Sequence, residues 1–196
     1  RVSDLLSIDG VDEKDLYFYE YPETKKVEDL GLKGIYLDNY FNWHGISNVV
    51  ISQTLGFEVA PLNIHGTIAN YENLDNYVHG IHDYFKYLKF GFSRSTDIAC
   101  NFIRRDLLTR EDAVYLVSKN DGLYPSEYLD KPLDFILDYY EISINDFKEV
   151  CDGYTNYELF KLDADGNLIT RNDGSPLLKR DFMQFKSLKW FILFHL

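Results

Sequence analysis

Several familiar signals are missing from this sequence, and each absence narrows what the protein can be. Only two cysteines, Cys100 and Cys151, stand among 196 residues. That is too few for a four-thiolate zinc cluster or for the disulfide framework of a small secreted domain, so a reducing, cytoplasmic setting is expected. Cations are outnumbered, 20 Lys and Arg against 32 Asp and Glu, for a net charge of −12. Nucleic-acid affinity rests on cations neutralising phosphates, so no nucleic-acid partner is expected. No apolar run approaches the roughly 20 residues of a membrane span; the longest, Trp190 to Phe194, is far shorter. There is no Gly-x-Ser-x-Gly elbow, no Walker loop and no Cys/His pair with an orienting partner. The sequence opens at Arg1 without an initiator Met or a signal-peptide pattern, which reads as a fragment or a processed chain.

Apolar and aromatic residues are plentiful. Fourteen Phe and 16 Tyr within a 45% hydrophobic chain supply enough surface for a folded core, and disorder is not expected. A chain of this length forms one domain, or one with an appendage, burying roughly 70% of its unfolded surface.

Along the chain, Tyr17, Tyr19 and Tyr21 alternate like a short extended segment, and Thr24 to Leu30 suits one or two helical turns. Gly34 to Leu37, apolar and bounded by Gly and Asp, predicts a buried strand. Ser47 to Leu55 predicts a helix stopped by Gly56. Leu74, Tyr77, Val78, Ile81, Phe85 and Leu88 form one stripe and predict a helix over about 73–88. Ser95 or Thr96 then caps a helix over about 97–104, and Thr109 caps one to about Lys119. Ser126 to Tyr140 and the residues from Ser143 to about Cys151 predict two more. Beyond Cys151, two short runs flank Asp163 to Asn167 as a β-hairpin and its turn. That loop begins like a calcium site, but its Gly stands fourth rather than sixth and Gly174 occupies the place of the bidentate Glu. The expected architecture is an α/β fragment, predominantly α-helical, with one or two buried strands, a helical C-terminal subdomain and a terminal β-hairpin. The expected divisions are 1–60, 61–155 and 156–196.

The most informative string is Lys89-Phe90-Gly91-Phe92-Ser93-Arg94-Ser95-Thr96-Asp97. Lys89 and Arg94 flank Gly91, which lets backbone approach a ligand, and they precede a helix start whose free N–H groups favour an anion. Thr96 adds a hydroxyl, and Asp97 is placed to hold Arg94 or to share a metal. The chemistry would be a phosphate or pyrophosphate cradle. Spacing alone favours something plainer, a helix–loop–helix corner with two solvated cations. A second loop, Asp38 to His44, follows the expected strand at the end where open α/β sheets bind ligands. Its amides and rings, Asn39, Tyr40 and Trp43 among them, suit a sugar or nucleoside, or equally serve as core plugs. His79 and His82 lie one turn apart beside Asp83, but no third ligand stands at helical spacing, so no metal is assigned. His82 is expected buried and hydrogen-bonded against a neighbouring loop.

Taken in order, several strings resemble a known family. They are Gly34 to Trp43, Tyr71-Glu72-Asn73-Leu74, Gly80 to Phe92, Arg94-Ser95-Thr96-Asp97 and Thr109 to Ala113. This succession resembles the C-terminal half of the N-acetyl sugar amidotransferases, members of the ATP pyrophosphatase (PP-loop) superfamily from bacterial surface-polysaccharide and flagellin-glycan pathways. The resemblance spans most of residues 15 to 170. It implies conversion of the acetamido group of a nucleotide-activated N-acetyl sugar to an acetamidino group. ATP with Mg2+ would adenylate the amide oxygen, and ammonia from a partner glutaminase would displace AMP. It also implies that Lys89, Gly91, Arg94, Thr96 and Asp97 bind ATP or the departing pyrophosphate, and that Asn39, Tyr40, Trp43 and His82 face the sugar nucleotide. The family's Ser-Gly-Gly-x-Asp-Ser loop and cysteine cluster have no counterpart here. The chain is therefore expected to be the C-terminal portion of a longer enzyme, binding no ATP alone. The alternative is a non-catalytic helical module that docks a glutaminase or a second copy of itself.

Overall fold

Where the sequence offers a cap and an apolar stripe together, a helix forms. In a computed structural model, which describes residues 2–41, 43–61 and 63–179, the chain falls into two units, one within Arg1–Ile51 and one from Ser52 onward. Asn42 and the stretch from 180 on, with its Trp190 to Phe194 run, lie outside the described residues.

The first unit holds short helices, α1 (Glu13–Leu16), α2 (Thr24–Asp29) and the start of α3 (Gly45–Thr54), with 3-10 turns between them. Gly34 to Leu37 is not a strand. Ile35, Tyr36 and Leu37 are 63%, 79% and 53% exposed, and no partner strand pairs with them among the described residues. A short apolar run between turn residues carries no information about whether a partner exists. The alternating tyrosines likewise give a 3-10 turn, Tyr17–Tyr19, rather than an extended segment. Gly56 does follow α3 in a left-handed conformation, φ +96°.

The second unit is helical: α4 (His79–Phe90), α5 (Arg94–Arg104), α6 (Arg110–Asn120), α7 (Leu133–Tyr139) and α8 (Ile144–Tyr154). Between α6 and α7, β1 (Glu127–Tyr128) and β2 (Lys131–Pro132) pair antiparallel. The fold is thus predominantly helical with one small ladder. Two helices differ from their expected bounds. α4 starts at His79 because Asn73 adopts φ +58° and the Asn76 side chain accepts the Val78 N–H at 3.0 Å, a local bond that competes with helix. The expected helix from Ser126 is interrupted by the two strands, with Leu129 at φ +54°. Pro132, which cannot sit inside a helix, becomes the N-cap residue of α7. Thr109 and Ser143 cap α6 and α8 as expected, each accepting an N–H three residues on.

Tyr84 and Leu88 of α4 meet Leu133, Leu137, Phe147 and Cys151 in the main core. Ala99, Ala113 and Val117 join α5 to α6 through small side chains. The C-terminal segment closes by single antiparallel bridges, Phe160 with Leu178, Leu162 with Leu168 and Thr170 with Pro176, around the Asp163 to Asn167 turn. Phe160 is fully buried, its ring 5.4 Å from that of Tyr87.

Two glycines allow close approach. A Cβ on Gly80 would lie 2.7 Å from the Tyr128 ring. One on Gly122, at φ +66°, would overlap the Tyr87 ring. Gly122→Ala should cost roughly 3 kcal/mol, combining overpacking with left-handed strain. Gly166→Ala, at φ +88° but facing open space, should cost only about 1 kcal/mol. Urea unfolding followed by circular dichroism measures both, and equal losses would contradict the packing described.

Candidate functional site

The corner between α4 and α5 is built by donors and acceptors that reach it from distant segments. α4 ends at Phe90, and Gly91 closes it in the left-handed region, φ +75°, its N–H donating to the Tyr87 carbonyl at 2.8 Å. A Cβ there would meet Leu178 at 3.1 Å, so Gly91 serves the helix end and the packing of the C-terminal segment. α5 begins at Arg94, three residues earlier than expected, with Ser93 as its N-cap residue. The Ser93 hydroxyl does not cap its own helix; it donates to the Asp83 carbonyl at 2.6 Å.

The cap comes instead from Asp121, just past the end of α6. Its Oδ2 accepts the Ser93 N–H at 2.8 Å and the Thr96 hydroxyl at 2.8 Å, and its Oδ1 accepts the Thr96 N–H at 3.3 Å. The anion that a helix N-terminus favours is therefore an internal carboxylate, only 2% exposed. Burial raises the Asp121 pKa above the usual carboxylate value, against the opposing pull of the Thr96 and Ser93 hydrogen bonds. Arg171 in turn clamps this corner from the C-terminal segment. Its guanidinium donates to the Asp121 carbonyl at 3.1 and 3.2 Å and to the Gly122 carbonyl at 2.6 Å, and it lies over the Tyr87 ring.

With those donors occupied, the expected cradle does not assemble as a pair of cations. Lys89 places its ammonium 4.2 Å from the centre of the Tyr154 ring on α8. Asp97 pairs with Lys86 of α4 rather than with Arg94. Thr96 serves Asp121. Arg94 alone, its side chain 27% exposed, faces a polar cluster. Its Nε donates to Asp83 Oδ2 at 3.4 Å and its Nη1 lies 3.9 Å from Glu72 Oε2. The Asn73 amide is assigned with its oxygen toward the guanidinium, where it accepts from Nη2 at 3.0 Å and Nε at 3.3 Å, because only that orientation satisfies both groups. The left-handed backbone of Asn73 is tied in turn through its carbonyl to the Tyr128 hydroxyl at 3.1 Å.

His82 is exposed, not buried: its side chain is 68% accessible, and Nδ1 lies 3.1 Å from Asp83 Oδ1. It faces outward because Tyr84, Tyr87 and Leu88 take the inner face of α4. His79 bonds separately to Asp75 at 3.2 Å and to Asn76 at 3.1 Å. Among the described residues no three His, Cys, Asp or Glu side chains gather to hold a metal. A concavity with room for little more than water is lined by His65, Gly80, Asp83 and Ser93, among others. Asn39, Tyr40 and Trp43 belong to the first unit, where Tyr40 and Trp43 are 68% and 59% exposed.

A family model described as "LPS biosynthesis protein WbpG-like, C-terminal domain" matches residues 65–174, more than half of the chain. The chain belongs to this WbpG-like family. The matched residues include Glu72, Asn73, Asp83, Arg94, Asp121 and Arg171, and the family description names lipopolysaccharide biosynthesis. The same description names no reaction. No curated protein matches the chain. Among the described residues no helix is long and apolar enough to cross a membrane.

Sequence reasoning missed Asp121 and Arg171. The bonds that place them at the corner span 25 to 50 residues and leave no local signal. Glu72, Asn73 and Asp83 lay within the strings that carry the resemblance.

Asp121→Ala leaves buried donors without an acceptor and should cost roughly 2–4 kcal/mol at neutral pH. A group whose pKa is higher folded than unfolded binds its proton more tightly in the folded state. Its contribution is therefore full below the unfolded value of about 3.8 and is lost as pH rises through the folded value. Asp121→Asn should remove that decline, and unfolding free energies measured from below pH 3.8 upward check it.

Proposed function

We propose that this chain is the C-terminal part of an ATP-dependent amidotransferase of lipopolysaccharide biosynthesis. The enzyme converts the acetamido group of a nucleotide-activated N-acetyl sugar to an acetamidino group, through an adenylated intermediate and ammonia from a glutaminase partner. The observation that carries this reading is convergence. Glu72 and Asn73, Asp83, and Arg94 come from three separate strings of the family resemblance, and they meet around one guanidinium.

In this reading Arg94 meets the negative charge that develops as pyrophosphate leaves ATP–Mg2+. A guanidinium carries five donors. Nε and Nη2 are engaged, whereas Nη1 stands 3.9 Å from Glu72, longer than a hydrogen bond. The side chain is thus held in one pose with a donor to offer, the preorganisation that makes charge stabilisation effective. The described residues supply no second phosphate contact at this corner, since the α5 N-terminus is filled by Asp121. The main grip on ATP is accordingly assigned to a Ser-Gly-Gly-x-Asp-Ser loop outside this sequence. Lys89, Gly91, Thr96 and Asp97 then act by holding the corner together. Tyr40 and Trp43, with Asn39 nearby in sequence, offer rings and an amide to the sugar nucleotide.

One observation favours a second reading, a docking module for the glutaminase. In the first unit only Leu16 is buried among the described residues, while Tyr17, Phe18, Tyr19, Tyr21, Tyr36 and Phe41 are each at least 67% exposed.

The test uses the intact enzyme with ATP, ammonium and nucleotide-activated N-acetyl sugars, reading sugar-dependent pyrophosphate release. Arg94→Ala should lower kcat about 10²–10³-fold, with Lys89→Ala changing it far less. Unaltered release in Arg94→Ala rejects the assignment. Loss of glutaminase association on removing the exposed tyrosines, with ammonium-driven turnover intact, supports a docking role for the first unit.

A further inference from the structure

We infer that His82 and Asp83 form a proton-transfer pair, with the outward imidazole Nε2 taking the proton that the incoming amine nitrogen must lose. This rests on the amidotransferase reading above.

The three described histidines apart from His82 are tied differently. His44 bonds to Ser47 of its own helix start. The Nε2 of His65 donates to the Tyr124 carbonyl at 2.8 Å. His79 uses Nε2 for an exposed Asp75 and for Asn76. His82 alone among the described residues bonds through Nδ1 to a buried carboxylate, with its ring out in solvent. Asp83 is 8% exposed. Its other oxygen takes Arg94 at 3.4 Å, and its backbone carbonyl takes the Ser93 hydroxyl. The carboxylate is therefore fixed at both ends. It sets the tautomer of His82 with hydrogen on Nδ1, leaving the Nε2 lone pair facing outward. A buried carboxylate that orients an imidazole also stabilises the imidazolium formed when that lone pair takes a proton. The charged groups around the pair are Arg94 and Glu72 behind the carboxylate, with Asp75 and His79 at the start of α4.

The step balances as follows. The O-adenylated amide keeps its N–H and is cationic. The ammonia lone pair forms the new C–N bond, and the C=N π pair moves onto the sugar nitrogen, leaving an ammonium on the tetrahedral carbon. His82 Nε2 removes one proton from that ammonium. The freed pair forms C=N as the C–O bond breaks, and AMP leaves with the C–O pair. The product is the amidinium, and the imidazolium returns its proton to water. Arg94 is one carboxylate away from His82, so the group assigned to pyrophosphate and the group assigned to the amine share Asp83 as their support.

The test compares His82→Gln with the wild-type intact enzyme, using ammonium as the nitrogen source and two separate readouts. In a single turnover, with enzyme in excess over ATP, sugar-dependent pyrophosphate release should stay within about threefold, while amidine formation falls about 10²-fold. The acid limb of the wild-type pH profile for amidine formation should disappear. Imidazole in solution should restore part of the rate to His82→Ala, a rescue that a merely structural histidine would not give. Amidine formation by His82→Gln at the wild-type rate with the wild-type pH profile would overturn the proton role while leaving the amidotransferase reading intact. A wild-type enzyme that releases no pyrophosphate with any N-acetyl sugar nucleotide would overturn both.

Discussion

A carboxylate at the start of a helix it does not belong to organises the second unit. Asp121 stands at the exit of α6 and satisfies Ser93 and Thr96 at the entrance of α5. Leaving those donors without an acceptor in the interior would cost a few kcal/mol, so the positions of the two helix ends are set together. The small residues Ala99 and Ala113 then let the helices approach closely enough for the bond to close. Everything at the corner follows from this contact. Arg94 is the first residue of a helix whose origin cannot drift, and its neighbours can be arranged around a fixed guanidinium.

The same contact changes the electrostatic meaning of the corner. A helix start beside two cations is ordinarily an invitation to an anion. Here the helix dipole is answered internally, Lys86 is answered by Asp97 and Lys89 turns to an aromatic face. In a chain carrying −12 net charge, what remains is one partly shielded guanidinium held by Asp83, Glu72 and Asn73. Such an arrangement favours a directed, single-residue contact over a broad basic pocket, and it couples that contact to the imidazole on the far side of Asp83.

Much of the secondary structure was legible because its causes are local. Thr109 and Ser143 announce their helices through bonds three residues away, and Gly56 marks a helix end through a backbone conformation that other residues adopt at a penalty. Failures occurred where the cause was remote or absent. Gly34 to Leu37 had strand composition but no strand to pair with. Pro132 divided what looked like one helix, and Asn76 delayed the start of α4 by a side-chain bond that an apolar stripe does not reveal. At the site, Arg94 stood out from its string. His82 was placed on the wrong side of its helix because it borders the stripe beside Val78 and Phe85, whereas Tyr84 and Tyr87, outside that stripe, lie deep with Leu88. Asp121 gave no sign at all, since a bond spanning 28 residues leaves no periodicity behind.

Arg171 also bears on when the corner takes shape. It reaches back 50 residues to the Asp121 carbonyl, and the Tyr87 hydroxyl donates to the Pro176 carbonyl across 89 residues. Contacts of such sequence separation close late, after the loop entropy between them has been overcome. During synthesis, α4 to α6 emerge well before the segment that clamps them. A ribosome-bound chain ending short of Arg171 would therefore carry the arginine and the histidine on helices whose ends are not yet locked. A later-translated stretch would act as the fastener of a corner encoded before it.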